Sequence, residues 1–132
     1  MIETLKSDDR LRELQQQTLN VANLPNNCLN HCDVRSDNIA YNEITGEVKF
    51  VDWNWVSYAP SKFGATEFLI DMARRGVDVS LWFGDMDSTF LAATVGHYMI
   101  RSLKKPLTQG NTLREMQAES AAVANYLYGR VK

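Results

Sequence analysis

Apolar residues recur at helical spacing in several segments of the chain. Such spacing places them on one face of an amphipathic helix, and we expect four helices: residues 8–22, 65–75, 88–104 and a last one that begins after Thr112. Flanking residues support these bounds, since Ser7 and Asp87 can cap the helices that follow them, Gly76 can end the second helix, and Thr112 to Glu115 form a capping box.

Shorter β-branched and aromatic runs predict strands between the first two helices. Residues 28–31 read as a short strand, and residues 39–42 and 48–51 read as a hairpin around a Thr-Gly turn. The fold class expected is therefore α+β, mostly helical, with a small β-hairpin. If residues 43–47 form the loop, Asn38 and Asp52 lie opposite each other at the open end of the hairpin with their side chains on one face.

The composition is that of an ordinary globular domain and does not favour a nucleic-acid-binding or membrane protein. The chain has 132 residues, of which 45% are hydrophobic and 23% charged, and its formal net charge is −2. We expect one domain over residues 1–132, a cytoplasmic location, and neither a nucleic-acid nor a membrane partner. No basic surface, long apolar run or signal peptide is evident in the sequence.

Oxygen-bearing side chains converge at the open end of the hairpin. Asn38 and Asp52 offer an amide oxygen and a carboxylate, the ligands that suit Mg²⁺, and Asp33 lies in the preceding loop. Each residue alone is also common in turns. Cys28, His31 and Cys32 could form half of a zinc site, but a second ligand pair is missing from the sequence, so we interpret both cysteines as reduced thiols.

The spacing of these residues resembles a known pattern. The run from His31 through Asp33 and Arg35 to Asn38, followed by Val51-Asp52-Trp53, resembles the catalytic loop and metal-binding segment of the protein-kinase-like fold. It is most similar to the aminoglycoside phosphotransferase and choline-kinase branch. The resemblance covers most of the chain and implies a C-terminal kinase lobe whose hairpin carries the catalytic loop.

The resemblance implies a role for each residue. Asp33 would act as the base on a substrate hydroxyl, and Asn38 and Asp52 would hold Mg²⁺ on the phosphates of ATP. His31 would tie the loop to the metal-binding segment through hydrogen bonds. Arg35 would either lie near the transferred phosphate or brace the loop, and the sequence does not choose between these. Two acids, Glu67 and Asp71, could match the acid that the family has in the following helix.

The chain also departs from the family. It has no Gly-rich loop and no room for a five-stranded N-terminal lobe before residue 28, and Cys32 replaces the usual glycine. We therefore expect little activity from the isolated chain. Two functions stay open: a phosphotransferase lobe acting on a small-molecule hydroxyl, or a catalytically silent module whose apolar face meets an N-terminal lobe or a second copy of the chain. The acceptor and the oligomeric state stay open too.

The aromatic segment after Asp52 also allows two readings. We expect Trp53 and Trp55 to pack beneath the site, whereas Tyr58 and Phe63 could either line an acceptor pocket or pack.

Overall fold

The computed structural model describes residues 8–132, and its contacts divide the chain into two compact units. One, the helical unit, comprises the residues up to Asn23 together with Asp87–Lys132, and the other, the hairpin unit, comprises Leu24–Met86. The regular elements are α1 (Asp8–Leu19), β1 (Cys28–Asn30), β2 (Ile39–Tyr41), β3 (Val48–Phe50), β4 (Ser57–Ala59), α2 (Phe63–Arg74), α3 (Ser88–Ser102) and α4 (Leu113–Val131). The fold is α+β and mostly helical, as the hydrophobic pattern predicts.

The helical unit is built by α3 packing against both α1 and α4. Its apolar core includes Leu14, Leu91 and Leu127, all of which are buried. Polar side chains also connect α1 to α4: the Arg10 guanidinium donates hydrogen bonds to the side-chain and backbone oxygens of Asn125 at 2.9 and 3.1 Å. Within residues 8–132, no helix is both long and apolar enough to cross a bilayer.

The helices begin and end within about three residues of the predicted bounds: α1 ends at Leu19 rather than 22, α2 begins at Phe63 rather than 65, and α3 ends at Ser102 rather than 104. Asp87 caps α3 as expected, because its side chain accepts from the backbone N–H of Phe90. The capping box predicted at Thr112 is wrong: its side chain makes no capping hydrogen bond, and its φ of −89° and ψ of 5° lie outside the extended region that an N-cap residue usually adopts. Asn111 instead accepts from the N–H of Leu113 at 2.9 Å. The proposed cap Ser7 lies outside the described residues.

The hairpin unit contains two small antiparallel sheets. β2 pairs with β3 as expected, and β1 pairs with β4. β4 was not expected from the sequence, because a three-residue strand within an irregular aromatic segment has no visible alternation of apolar and polar residues. Pairing with β4 anchors the strand that leads into the loop of Asp33.

The register of the β2–β3 hairpin differs by one residue from the prediction. Ala40 pairs with Lys49 rather than with Phe50, and Asn42 pairs with Glu47 through a backbone hydrogen bond of 2.9 Å. The reason is the Asn42 side chain, whose oxygen accepts from the N–H groups of Ile44 and Thr45 and shortens the loop by one residue. Continued to the open end, this register places Asn38 opposite Val51 instead of Asp52.

Candidate functional site

The loop from His31 to Asn38 is a tightly turned segment between β1 and β2. It passes Cys32 with a φ of 61°, in the left-handed region that favours glycine, and ends in a 3₁₀ turn over Ser36–Asn38. The Asn38 N–H donates to the Arg35 carbonyl at 2.9 Å. This path brings the two ends of the loop together and aims Asp33 and Asn38 at one another.

Asp33 and Asn38 are in direct contact. The Asn38 Nδ2 donates to the Asp33 carboxylate at 3.0 Å and to the Asp33 backbone carbonyl at 2.9 Å, and the Asn38 side chain is buried. Both bonds use the amide nitrogen. The amide oxygen of Asn38 is therefore the atom that can act as a metal ligand, as the sequence analysis requires.

Arg35 forms an ion pair with Asp33. Its Nε lies 2.9 Å from Oδ1 of Asp33 and its Nη2 lies 3.4 Å from Oδ2, while Asp37 is more distant at 3.6 Å. The Nη2 contact is a hydrogen bond and the Nε contact an ion pair, and together they restrict the orientation of the carboxylate. Of the two roles left open for Arg35, this contact supports bracing of the loop.

His31 connects the loop to the segment that precedes Asp52. Its Nε2 lies 2.7 Å from the Val51 carbonyl, and since a carbonyl only accepts, Nε2 carries the proton. The imidazole is buried, with its ring centroid 4.7 Å from that of Trp53. The hydrogen bond expected of His31 is present, and it makes Nε2 unavailable for the zinc site considered above.

Asp52 follows directly after the residue that pairs with Asn38. The Val51 N–H donates to the Asn38 carbonyl at 2.9 Å, and Asp52 then leaves the strand with a φ of 58°. Because this left-handed turn ends the extended conformation, the alternation of strand faces does not extend to Asp52. Its carboxylate is exposed and accepts from the Asn54 side-chain amide. The predicted opposition of Asn38 and Asp52 is thus replaced by a link through Val51.

The oxygen types of Asn38 and Asp52 are ones that Mg²⁺ accepts as ligands. Asn38 supplies an amide oxygen and Asp52 a carboxylate, and Mg²⁺ usually takes one or two protein ligands and completes its shell with phosphates and water. Within the part of the chain that the structure describes, no group of three or more His, Cys, Asp and Glu side chains is arranged to hold a metal ion.

Two acids on α2 hold the backbone of the loop. Glu67 accepts from the N–H of Val34 at 2.9 Å, and Asp71, one helical turn later, accepts from the N–H of Ser36 at 2.9 Å. The sequence left open which of the two acids corresponds to the family's acid in this helix, and both contact the loop. Their i, i+4 spacing is the signal that could have shown this, because residues four apart share a helix face.

The two acids differ in protonation chemistry. Burial raises the pKa of Glu67, the charge of Asp33 raises it further, and the Val34 N–H opposes both. Burial also acts to raise the pKa of Asp71, but hydrogen bonds from the Ser36 amide, Arg74 and Arg75 outweigh it and lower the pKa to about 2. The lowered pKa keeps Asp71 ionised where it bonds the loop, whereas burial makes ionisation of Glu67 less favourable.

The aromatic residues after Asp52 are divided between packing and exposure. Trp53 contacts His31, and its indole N–H donates to the Phe50 carbonyl at 2.9 Å, although the side chain is half-exposed. Trp55 and Tyr58 are both about two-thirds exposed, at 67%. The expectation that Trp55 packs beneath the site is therefore wrong.

Comparison with models of known protein families, with curated proteins and with solved structures found no match for this chain.

Proposed function

We propose that the chain is the catalytic and metal-binding lobe of a phosphotransferase that acts on a hydroxyl group of a small molecule. The observation that carries this proposal is the arrangement of Asp33, Asn38 and Asp52. The amide nitrogen of Asn38 donates to Asp33, and Asp52 follows the residue that pairs with Asn38.

Each residue has a role in this proposal. Asp33, oriented by Arg35 and Asn38, accepts or orients the proton of the acceptor hydroxyl. Asn38 and Asp52 hold Mg²⁺, which neutralises charge on the phosphates of ATP when both are bound. His31, Glu67 and Asp71 do not touch the reactants; they keep the loop and the metal-binding segment in place.

The support is geometric and chemical. Phosphoryl transfer needs mainly positioning and charge neutralisation. Asp33, which contacts both Arg35 and Asn38, would serve the first, and a cation held by Asn38 and Asp52 would serve the second. A protein-kinase-like C-terminal lobe is the fold that we infer for it, in line with the mostly helical α+β architecture. The second half of the nucleotide site would come from a phosphate-covering element that these 132 residues do not include.

Metal-dependent nucleotide binding tests the proposal. Mn²⁺ can replace Mg²⁺, and electron paramagnetic resonance measures how much of it the protein binds in the presence of ATP. We expect saturable binding that Asp52→Asn weakens at least tenfold, whereas Glu47→Gln, an equal loss of charge at the turn of the same hairpin, leaves it unchanged. Equal affinities for the wild type and Asp52→Asn would contradict the proposal, as would no binding even with an N-terminal kinase lobe supplied.

One observation favours a second candidate function, a catalytically silent binding or dimerisation module. Leu29 and Tyr58 are directly opposed in the β1–β4 sheet and are 64% and 67% exposed. Adjacent exposed apolar side chains of this kind occur at protein–protein contacts. Sedimentation of the chain separates this candidate from the first, because the phosphotransferase proposal does not need self-association.

A further inference from the structure

Positive charge is concentrated in one stretch of the helical unit. The hairpin unit carries nine acidic and five basic side chains, whereas the helical unit carries seven acidic and nine basic ones. Residues 88–114 of the helical unit contain no acid; Asp87 precedes this stretch and Glu115 follows it. Its four basic residues are Arg101, Lys104, Lys105 and Arg114. Such charge asymmetry within an acidic chain is typical of a surface that meets an anionic partner.

The four basic residues lie around the end of α3 and the turn that follows it. Helix α3 ends at Ser102, and every residue from 103 to 112 is exposed. Arg114, in the first turn of α4, donates from Nε to the Lys105 carbonyl at 3.3 Å, which places it beside the turn. Among residues 8–132, no ion pair involves Arg101, Lys104 or Lys105. Their charges are therefore available to an external anion.

Large aliphatic side chains are exposed in the same segment. Ile100 is 67% exposed, Leu103 84% and Leu107 64%. Ile100 and Leu103 are three residues apart and share a helix face, on the side of α3 opposite to the buried Leu91 and Val95. The outward face of a helix in a globular domain usually carries polar residues. Here it offers apolar surface next to positive charge.

The combination of charge and apolar side chains selects the kind of partner. Nucleic acid would use the basic residues through its phosphates and would leave the aliphatic ones in water. An anionic lipid bilayer uses both, because its headgroups attract Lys and Arg and aliphatic side chains enter the boundary between headgroups and acyl chains. A bilayer also conforms to side chains that project from a turn, whereas a folded protein partner needs a groove of matching shape.

We propose that residues 100–107, which we call the basic turn, bind the surface of an anionic lipid bilayer. The aliphatic side chains of the basic turn enter the headgroup region, and its basic side chains contact the anionic headgroups. Binding at the surface needs no membrane-spanning helix. It is also independent of the proposed phosphotransferase site, because it uses neither the metal nor ATP.

Co-sedimentation of the full chain with vesicles tests this proposal. One set of vesicles is phosphatidylcholine alone, and the other is an equimolar mixture of phosphatidylserine and phosphatidylcholine. We expect saturable binding to the mixed vesicles that is about tenfold or more tighter than binding to phosphatidylcholine. Added salt should weaken it, because salt screens the attraction between the basic residues and the headgroups.

Charge variants locate the electrostatic part of the binding. Lys104→Gln with Lys105→Gln should weaken binding to the mixed vesicles about tenfold or more, because each basic residue near an anionic surface contributes roughly fivefold. Arg12→Gln with Lys49→Gln is the matched control. It removes the same charge from exposed positions outside the basic turn and should change the affinity less than about twofold.

A second pair of variants locates the apolar part. Leu103→Ser should weaken binding to the mixed vesicles about threefold or more, because a polar side chain gains nothing from the acyl boundary. Leu81→Ser in the hairpin unit is the matched control, since Leu81 is 87% exposed, and it should bind like the wild type. Circular dichroism verifies that each variant is folded.

Three results would overturn this proposal. They are equal binding to the two kinds of vesicle, equal losses in the basic-turn variants and their controls, and no saturable binding to the mixed vesicles. An acidic protein partner would give the last result together with tight binding of poly-glutamate that Leu103→Ser does not change.

Discussion

Two residues in the candidate site have left-handed backbone conformations, Cys32 with a φ of 61° and Asp52 with a φ of 58°. Such a conformation costs roughly 1–2 kcal/mol for most side chains and less for Asp, whose short polar side chain can hydrogen-bond locally. Both turns are needed for the geometry described above: Cys32 starts the loop of Asp33, and Asp52 leaves the strand after Val51. Cys32 has a side chain at a position where the family that the sequence resembles has glycine.

Substitutions at Cys32 measure this local strain. Cys32→Gly should raise the free energy of unfolding by up to about 1 kcal/mol, because relief of the left-handed strain exceeds the extra chain entropy of glycine. Cys32→Val should lower it by about 1–2 kcal/mol, since a β-branched residue tolerates this conformation least. Urea unfolding gives both values. Cys28→Val, in strand β1, is the control and should have little effect; a Cys32→Val variant as stable as wild type would show that the turn is not strained.

At the scale of elements, most helices and strands could be predicted from hydrophobic spacing, and their exact pairing could not. The register of β2 and β3 depends on Asn42, whose side chain bonds two amides of the turn. A loop shorter by one residue changes every cross-strand pair. The spacing of apolar residues does not determine the length of the loop. Likewise, the contact between Asp33 and Asn38 agrees with the motif, but the ion pair of Arg35 with Asp33 depends on side-chain geometry that spacing does not determine.

The two acids of α2 should respond oppositely to neutralisation. Asp71 has a pKa lowered from 3.8 to about 2, so its ionised form stabilises the fold above about pH 4, and this contribution is lost as the pH falls toward 2. Asp71→Asn should therefore cost about 2 kcal/mol at pH 7, and progressively less below pH 4.

Glu67 has a raised pKa, so the folded chain holds this proton more tightly than the unfolded chain does. That stabilisation is complete below the unfolded pKa and is lost as the pH rises through the folded pKa. Glu67→Gln keeps an oxygen for the Val34 N–H and should leave the free energy of unfolding at pH 7 unchanged or higher. Urea unfolding as a function of pH measures both variants, and equal losses at pH 7 would contradict the assignment.

At the scale of the whole molecule, the chain forms two compact units, each with its own elements. The helical unit is discontinuous in sequence, because α1 packs against a helix that begins some 70 residues after α1 ends. The local pattern of apolar residues does not predict long-range pairing of this kind. The candidate site, in contrast, lies entirely within residues 31–71 of the hairpin unit and could be found from residue spacing.

Self-association tests whether the exposed β1–β4 sheet is an interface. If it is, the wild-type chain should dimerise at micromolar concentrations, and Leu29→Ser with Tyr58→Ser should leave it monomeric. Leu19→Ser on α1 is a matched control, because Leu19 and Leu29 are equally exposed at 64%. Analytical ultracentrifugation gives the result, and a dimer that persists in the double variant would exclude this sheet as the interface.

Nuclear magnetic resonance with Mn²⁺ and ATP tests most directly the proposal that Asn38 and Asp52 hold a divalent cation beside Asp33. Paramagnetic Mn²⁺ broadens signals near it in proportion to the inverse sixth power of distance. We predict that substoichiometric Mn²⁺ first removes the side-chain amide signals of Asn38 and the backbone amide signals of Asp33 and Asp52, and that Asp52→Asn prevents this. Broadening centred on another acidic segment, such as residues 78–87, with the Asn38 signals intact, would contradict it.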